Sequence, residues 1–209
     1  MDQYRLPMFP LGTPLVPGSL LPLQIFEPRY QQMISDVLES SEPEFGVVLI
    51  ERGHEVGGRD IRSMAGTLAR IVETQIAADG RRMVLALGIR RIRVGEWLPD
   101  DPYPIAMVSD WPDQERGWVD PAELGRLFGK VDEVSSLFEQ LGGPASRLMD
   151  IEISADPSFA TFQLVALAPI GPADRQRLLV CEDPVQRLEL LESALSDVEA
   201  ACRFRLLSE

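Results

Sequence analysis

The chain of 209 residues is predicted to adopt an α+β fold in two parts, a strand-rich first half followed by a helical bundle. Three observations predict it. Val-, Ile- and Leu-rich segments broken by Gly, Pro and Asp turns run through residue 111. The stretch WPDQERGW at 111–118 is polar and turn-prone. Behind it come amphipathic stripes at helical spacing, joined by short loops. The expected subdomains are therefore 1–115 and 116–209.

The expected strands lie in LPMFPL, PLQIF, FGVVLIE, GTLARIVETQIA, RMVLALGIRRIRVGEWL and YPIAMVSDW. Pro17-Gly18, Gly57-Gly58, Asp79-Gly80 and Asp100-Asp101-Pro102 separate them. Asp79-Gly80 is the clearest hairpin signal, because both residues tolerate the positive φ of a tight primed turn. VVLI and MVLALGI are apolar on both faces, which fits a closed or covered sheet rather than one open to water. One helix interrupts the strands. It starts at Glu27-Pro28, with proline at the first helical position where its missing N–H is harmless. Tyr30, Met33, Ile34, Val37 and Leu38 then share one face.

In the second half, Asp120-Pro121 with Glu123 reads as a cap, a helix-compatible proline and a capping-box partner. Asp156-Pro157, Pro172 and Asp183-Pro184 start three more helices. In the last, Leu188, Leu191, Leu195, Val198 and Cys202 recur at steps of three and four. Such a stripe suits either a coiled-coil seam for a partner or the inner face of a bundle. Several amphipathic helices in succession favour the bundle.

The residue inventory leaves little room for catalysis. His54 is the only histidine, in the Gly-rich ERGHEVGGRD, and Lys130 is the only lysine. Ser-His-Asp, Cys-His and Ser-Lys sites would all depend on one of them. GRLFGKV lacks the spacing and the Ser or Thr of a phosphate-binding loop. Cys181 and Cys202 are far apart, both in stretches that read as helix, and are expected to be small buried apolar residues rather than a disulfide or metal framework. No metal or cofactor is expected. Carboxylates are so abundant that no pair stands out.

The formal net charge of -13 opposes binding to a polyanion, so no nucleic-acid partner is expected. No basic region followed by an apolar run opens the chain, and no uncharged apolar segment approaches the ~18 residues of a membrane span. A cytoplasmic protein without membrane association is the expectation.

A series of residues in order carries a resemblance. It runs Phe9-Pro10-Leu11, Pro17-Gly18, Leu21-Pro22-Leu23 and Ile25-Phe26-Glu27-Pro28-Arg29-Tyr30, then Phe45-Gly46-Val47, Gly66-Thr67, Gly88-Ile89-Arg90-Arg91 and Pro102-Tyr103. This resembles the N-terminal substrate-binding domain of Lon proteases, above all stand-alone bacterial proteins made of that domain. The resemblance covers about 5–111, and the helical remainder is similar to the family's second lobe through weaker motifs. It implies a PUA-like β pseudo-barrel followed by a helical bundle. It also implies binding of unfolded or partner polypeptides, with no peptidase activity because no segment is left for an ATPase or protease domain. PUA-like folds elsewhere often bind RNA, which the acidic balance argues against here.

The candidate binding residues are Phe26, Glu27, Arg29, Tyr30, Arg91, Trp97 and Trp111. Glu27 and Arg29 stand out as charges inside an apolar run at a strand-to-helix junction. Glu27 has a structural reading, accepting from free N–H groups at the helix start or pairing with Arg91, and a ligand-binding one. Trp97, Trp111 and Trp118 are either core residues or exposed anchors. A small-molecule sensor with a pocket between the lobes is the alternative function, and a hydrolase with an unrecognised site is the third.

Overall fold

The structure, a computed structural model, describes residues 2–52, 61–78, 81–114, 118–144 and 152–208. His54, the Gly57-Gly58 turn and the Asp79-Gly80 turn lie outside them. Contacts divide the chain into a unit at 1–112 and a unit at 113–209.

The first unit contains β1 (Tyr4–Leu11), β2 (Leu20–Ile25), helix α1 (Pro28–Leu38), β3 (Glu44–Arg52), β4 (Ile61–Ile76), β5 (Arg82–Leu98) and β6 (Ile105–Asp110). The sheet order is β2-β5-β4-β3-β1-β6, and β5 also pairs with β6. Five strands thus close on themselves while, among the described residues, β2 bonds to β5 alone. Closure is possible because β5 is 17 residues long. Its first half serves β2 and its second half serves β6. Register shifts between Leu68 and Ala69, and between Val94 and Glu96, supply the bends such closure needs.

Apolar residues on both faces of these strands have two places to go. β1 sends Phe9 and Leu11 into a cluster with Tyr30, Met33, Ile34 and Val37 of α1. Its alternate residues, Leu6 and Met8, join Leu68, Ile92 and Val108 in a second cluster. α1 therefore covers one face of the sheet with the stripe read from the sequence, Leu38 packing at its margin.

The chain between β1 and β2 is itself buried at Pro14–Pro17. Thr67 Oγ1 donates to the Leu15 carbonyl at 2.6 Å, and Gly18 N–H donates to the Gly88 carbonyl at 2.8 Å. A Cβ on Gly88 would press into the Val16 carbonyl, so a bare backbone at that point admits the loop.

The second unit holds α2 (Pro121–Gln140), α3 (Pro157–Leu167), α4 (Pro172–Val180) and α5 (Pro184–Leu206). Asp120, Asp156 and Asp183 each cap a helix by accepting backbone N–H bonds, with proline next in line. The expected capping box at α2 is not formed. Glu123 turns instead to Arg126, whose Nη2 lies 2.6 Å away, because a guanidinium offers a charged fork where the cap offers one amide. Leu127, Val131 and Val134 of α2, Leu164 of α3, and Leu188, Leu191 and Leu195 of α5 are buried within this unit. The α5 stripe is thus an inner face. Cys202 lies inside α5, whereas Cys181 ends α4 as its cap; both are buried and neither is in a disulfide.

Arg187 is the largest fully buried side chain among the described residues. Its guanidinium pairs with both oxygens of Asp113, reaching Oδ2 at 2.9 Å. It also donates to Thr161 Oγ1 at 2.6 Å and to the Cys181 carbonyl at 2.6 Å, and lies 3.6 Å from the Phe162 ring centroid.

Candidate binding groove

The surface begins with the alternation of β2. Leu23 and Ile25 point into the core, while Leu20, Pro22 and Gln24 are exposed. Phe26 continues the outward series one step beyond the strand and is 60% exposed. Pro28 then starts α1, and the helical turn carries Tyr30 back inward to 4% exposure. An outward and an inward aromatic four residues apart frame a groove of about 200 Å³. Phe9, Leu11, Pro22, Leu23 and Ile25 supply its apolar walls. Tyr30 stacks on Phe9 with ring centroids 4.1 Å apart, making a rigid floor.

Glu27 is the only charged residue among those lining the groove. It accepts from Arg29 Nε at 3.0 Å, and this holds the Arg29 guanidinium over the Tyr30 ring, 4.6 Å from its centroid. Both structural roles expected for Glu27 are corrected. Its side chain makes no cap bond at α1, where Pro28 has already removed one of the amides needing an acceptor. It does not meet Arg91 either. Ile25 stands opposite Arg82, and Arg91 lies nine residues further along β5, roughly 30 Å of strand.

Phe26, Glu27, Arg29 and Tyr30 therefore come together, and the other three candidates do not join them. Arg91, 3% exposed, donates to the carbonyls of Trp111 and Pro112 at 3.0 and 3.3 Å. Trp111 lies under two guanidinium groups, Arg91 at 4.4 Å and Arg93 at 4.0 Å. Trp97 is half-buried beneath Arg62, which also pairs with Asp100 at 3.1 Å. Each of these two tryptophans is half-buried and stacked against a guanidinium. Trp118, in the helical unit, is 77% exposed.

Sequence reasoning missed the outer face of β5. Met83 is 41% exposed, and Leu85 and Leu87 are half-buried. The register sets them beside Gln24, Pro22 and Leu20, so the apolar surface widens from the groove across two strands. The segment RMVLALGI is apolar throughout, and without the register neither face of it could be singled out.

A second cleft of about 490 Å³ is polar and includes Tyr4, Arg5, Asp36, Arg90 and Tyr103. Tyr103 donates to Asp36 at 2.8 Å and Tyr4 to Asp110 at 2.8 Å. Burial first, then the hydrogen bond to a carboxylate, pushes each phenol up to about 12. Among the described residues no group of three or more His, Cys, Asp or Glu is arranged to hold a metal, and no helix is long and apolar enough to cross a membrane.

A closed barrel with an uncovered aromatic beside an apolar groove, followed in the chain by a helical unit, places the protein in the α+β class of barrel-and-bundle architectures. The chain belongs to the family described as the ATP-dependent protease La (LON) substrate-binding domain, whose model matches residues 5–197. It is similar to Lon protease 2 of Myxococcus xanthus, 28% identical over 91% of this chain and 23% of that protein. It is also similar to the LON peptidase N-terminal domain and RING finger protein C14F5.10c of Schizosaccharomyces pombe, 25% identical over 96% of this chain and 47% of that protein. The chain thus spans less than half the length of either relative. Among solved structures, a Lon N-terminal domain protein from Xanthomonas campestris superposes with a TM-score of 0.67 at 26% identity, covering 91% of this chain and 98% of that one. The N-terminal domain of a Mycobacterium avium complex Lon protease shares the fold, with a TM-score of 0.65 at 19% identity over 93% of this chain and 99% of that one.

Proposed function

We propose that the chain is a non-catalytic module that binds unfolded or partner polypeptides, and that the groove between β2 and α1 is where they bind. The observation that carries this reading is Phe26, an aromatic ring 60% exposed at the lip of an apolar groove. A folded chain gains nothing by leaving such a ring in water, whereas a partner's apolar side chain covers it favourably. Aromatic anchors set against a pocket supply a disproportionate share of binding energy. The matched family is described by substrate binding, and only that domain is matched. The formal charge of -13 disfavours a nucleic-acid partner.

Titration of labelled, reduced lactalbumin with the intact chain, followed by fluorescence anisotropy, tests the reading. Saturable binding is expected, weakened about tenfold by Phe26→Ala. Binding unchanged in Phe26→Ala would place the site elsewhere. A parallel incubation with casein is expected to release no peptides. Release that is lost in His54→Ala or Lys130→Ala would overturn the non-catalytic part.

A further inference from the structure

Among the described residues β2 bonds to β5 only, so one side of it is an open sheet edge. Open edges invite strand addition, in which a bound segment extends the sheet through main-chain hydrogen bonds. The register decides which groups this edge offers. Gly88 N–H donates to the Ser19 carbonyl at 2.9 Å. Antiparallel ladders alternate bonded and non-bonded pairs. Counting on from Ser19, the bonded pairs are Leu21 with Ala86, Leu23 with Val84 and Ile25 with Arg82. The main-chain groups of Leu20, Pro22 and Gln24 therefore face the open side. Pro22, opposite Leu85, has no N–H, which independently requires that pair to be a non-bonded one.

The central donor of the open edge is thus missing. A strand laid along β2 would find N–H groups only at Leu20 and Gln24, and the carbonyl it brings opposite Pro22 would lose water and gain no partner. Side chains tell a different story on the same residues. Leu20 is 60% exposed, Phe26 is equally so, and Met83 at 41% continues the apolar surface on β5. The face is apolar for side chains and blunted for backbone.

We propose that this face takes an extended, apolar, non-acidic polypeptide segment through its side chains, and that Pro22 is the residue that prevents strand addition. The inference rests on the polypeptide-binding reading and specifies its mode. The occupant is extended and apolar because the exposed residues form rows along two strands, and non-acidic because a chain of net charge -13 repels acidic segments. The same missing donor keeps the β2 edges of two copies from pairing.

The test uses the full chain and a labelled peptide of alternating Leu or Phe and Lys, together with two versions N-methylated at its odd or its even residues. Side-chain binding predicts that both methylated versions bind within about twofold of the parent, since no main-chain donor is used. Strand addition predicts that one methylated version loses binding while the other keeps it, and this result overturns the proposal while leaving the polypeptide reading intact. If none of the three peptides binds, the polypeptide reading itself fails. Pro22→Val restores the N–H. It is expected to raise affinity for the parent peptide about fivefold, to lose that gain with one methylated version, and to shift sedimentation toward larger species. A folded Pro22→Val protein that does neither contradicts the role given to Pro22. Should that variant fail to fold, the methylated peptides on the unmodified chain still decide the mode.

Discussion

The barrel unit and the helical unit each bury an arginine, and they satisfy it by different means. In the barrel, Arg91 gives its protons to the main-chain carbonyls of Trp111 and Pro112 and lies over an indole ring. In the helical unit, Arg187 faces the carboxylate of Asp113, a hydroxyl and two carbonyls, with no exposed surface left. Both contacts pin chain near the boundary, residues 111–112 to the barrel and residue 113 to the helices. The difference lies in what a single change exposes. A guanidinium held by carbonyls keeps most of its partners when one group is altered. One held by a carboxylate becomes an uncompensated buried charge when that carboxylate goes.

Asp113→Ala should therefore be the most damaging of the substitutions considered, costing about 3–5 kcal/mol in urea unfolding. Arg187→Met combined with Asp113→Leu should recover most of that loss, because an apolar pair of similar volume needs no desolvated charge. Recovery of nothing would mean that Arg187 works through its hydroxyl and carbonyl bonds instead. Arg91→Leu should cost less, about 1–3 kcal/mol, since it leaves the carbonyls of Trp111 and Pro112 in want of a donor.

The two tyrosines of the polar cleft sharpen the picture of the barrel through pH. Their folded phenols are pushed up to about 12 from 10.0, so the folded state holds these protons where the unfolded chain releases them. Stability they contribute is present below pH 10 and is lost as pH rises toward 12. Tyr4→Phe and Tyr103→Phe should each flatten this alkaline decline, measured by chemical denaturation across that window. The smallest effect is expected at the surface of the helical unit. Arg126 bridges Glu123 and Glu192 at 2.6 and 2.7 Å, yet it is exposed. Arg126→Ala should leave the unfolding midpoint unchanged, in contrast to the buried arginine one helix away.

The strands were legible because Gly, Pro and Asp punctuate apolar runs, and the helices because Asp-Pro pairs mark three of their starts. The closure of the barrel was expected from strands apolar on both faces, but the way it is achieved was not legible. It depends on register shifts within β4 and β5 that leave no mark in composition. At the candidate site, the IFEPRY run brings four of the candidates together, since their neighbourhood is set by one strand-to-helix junction. Arg91 and Trp97 stand apart from them because residue type alone cannot say where along a 17-residue strand a side chain stands, and Trp111 because it follows β6 at the far end of the unit's sequence. Arg187 went unremarked for a related reason. An arginine beside the apolar stripe of α5 reads as its solvated flank until Asp113 is placed opposite, and Asp113 sits in a segment that reads only as a turn. The role of Pro22 was hidden too, because a proline in an edge strand has meaning only once the bonded side of that strand is known.

The central claim, that polypeptides bind on the β2–α1 face of the barrel, is tested most directly by amide hydrogen exchange of the full chain with and without reduced lactalbumin. The account predicts added protection confined to residues 20–26, the first turn of α1 and residues 83–87 of β5. Protection limited to α2–α5, or none at saturating lactalbumin, would contradict it.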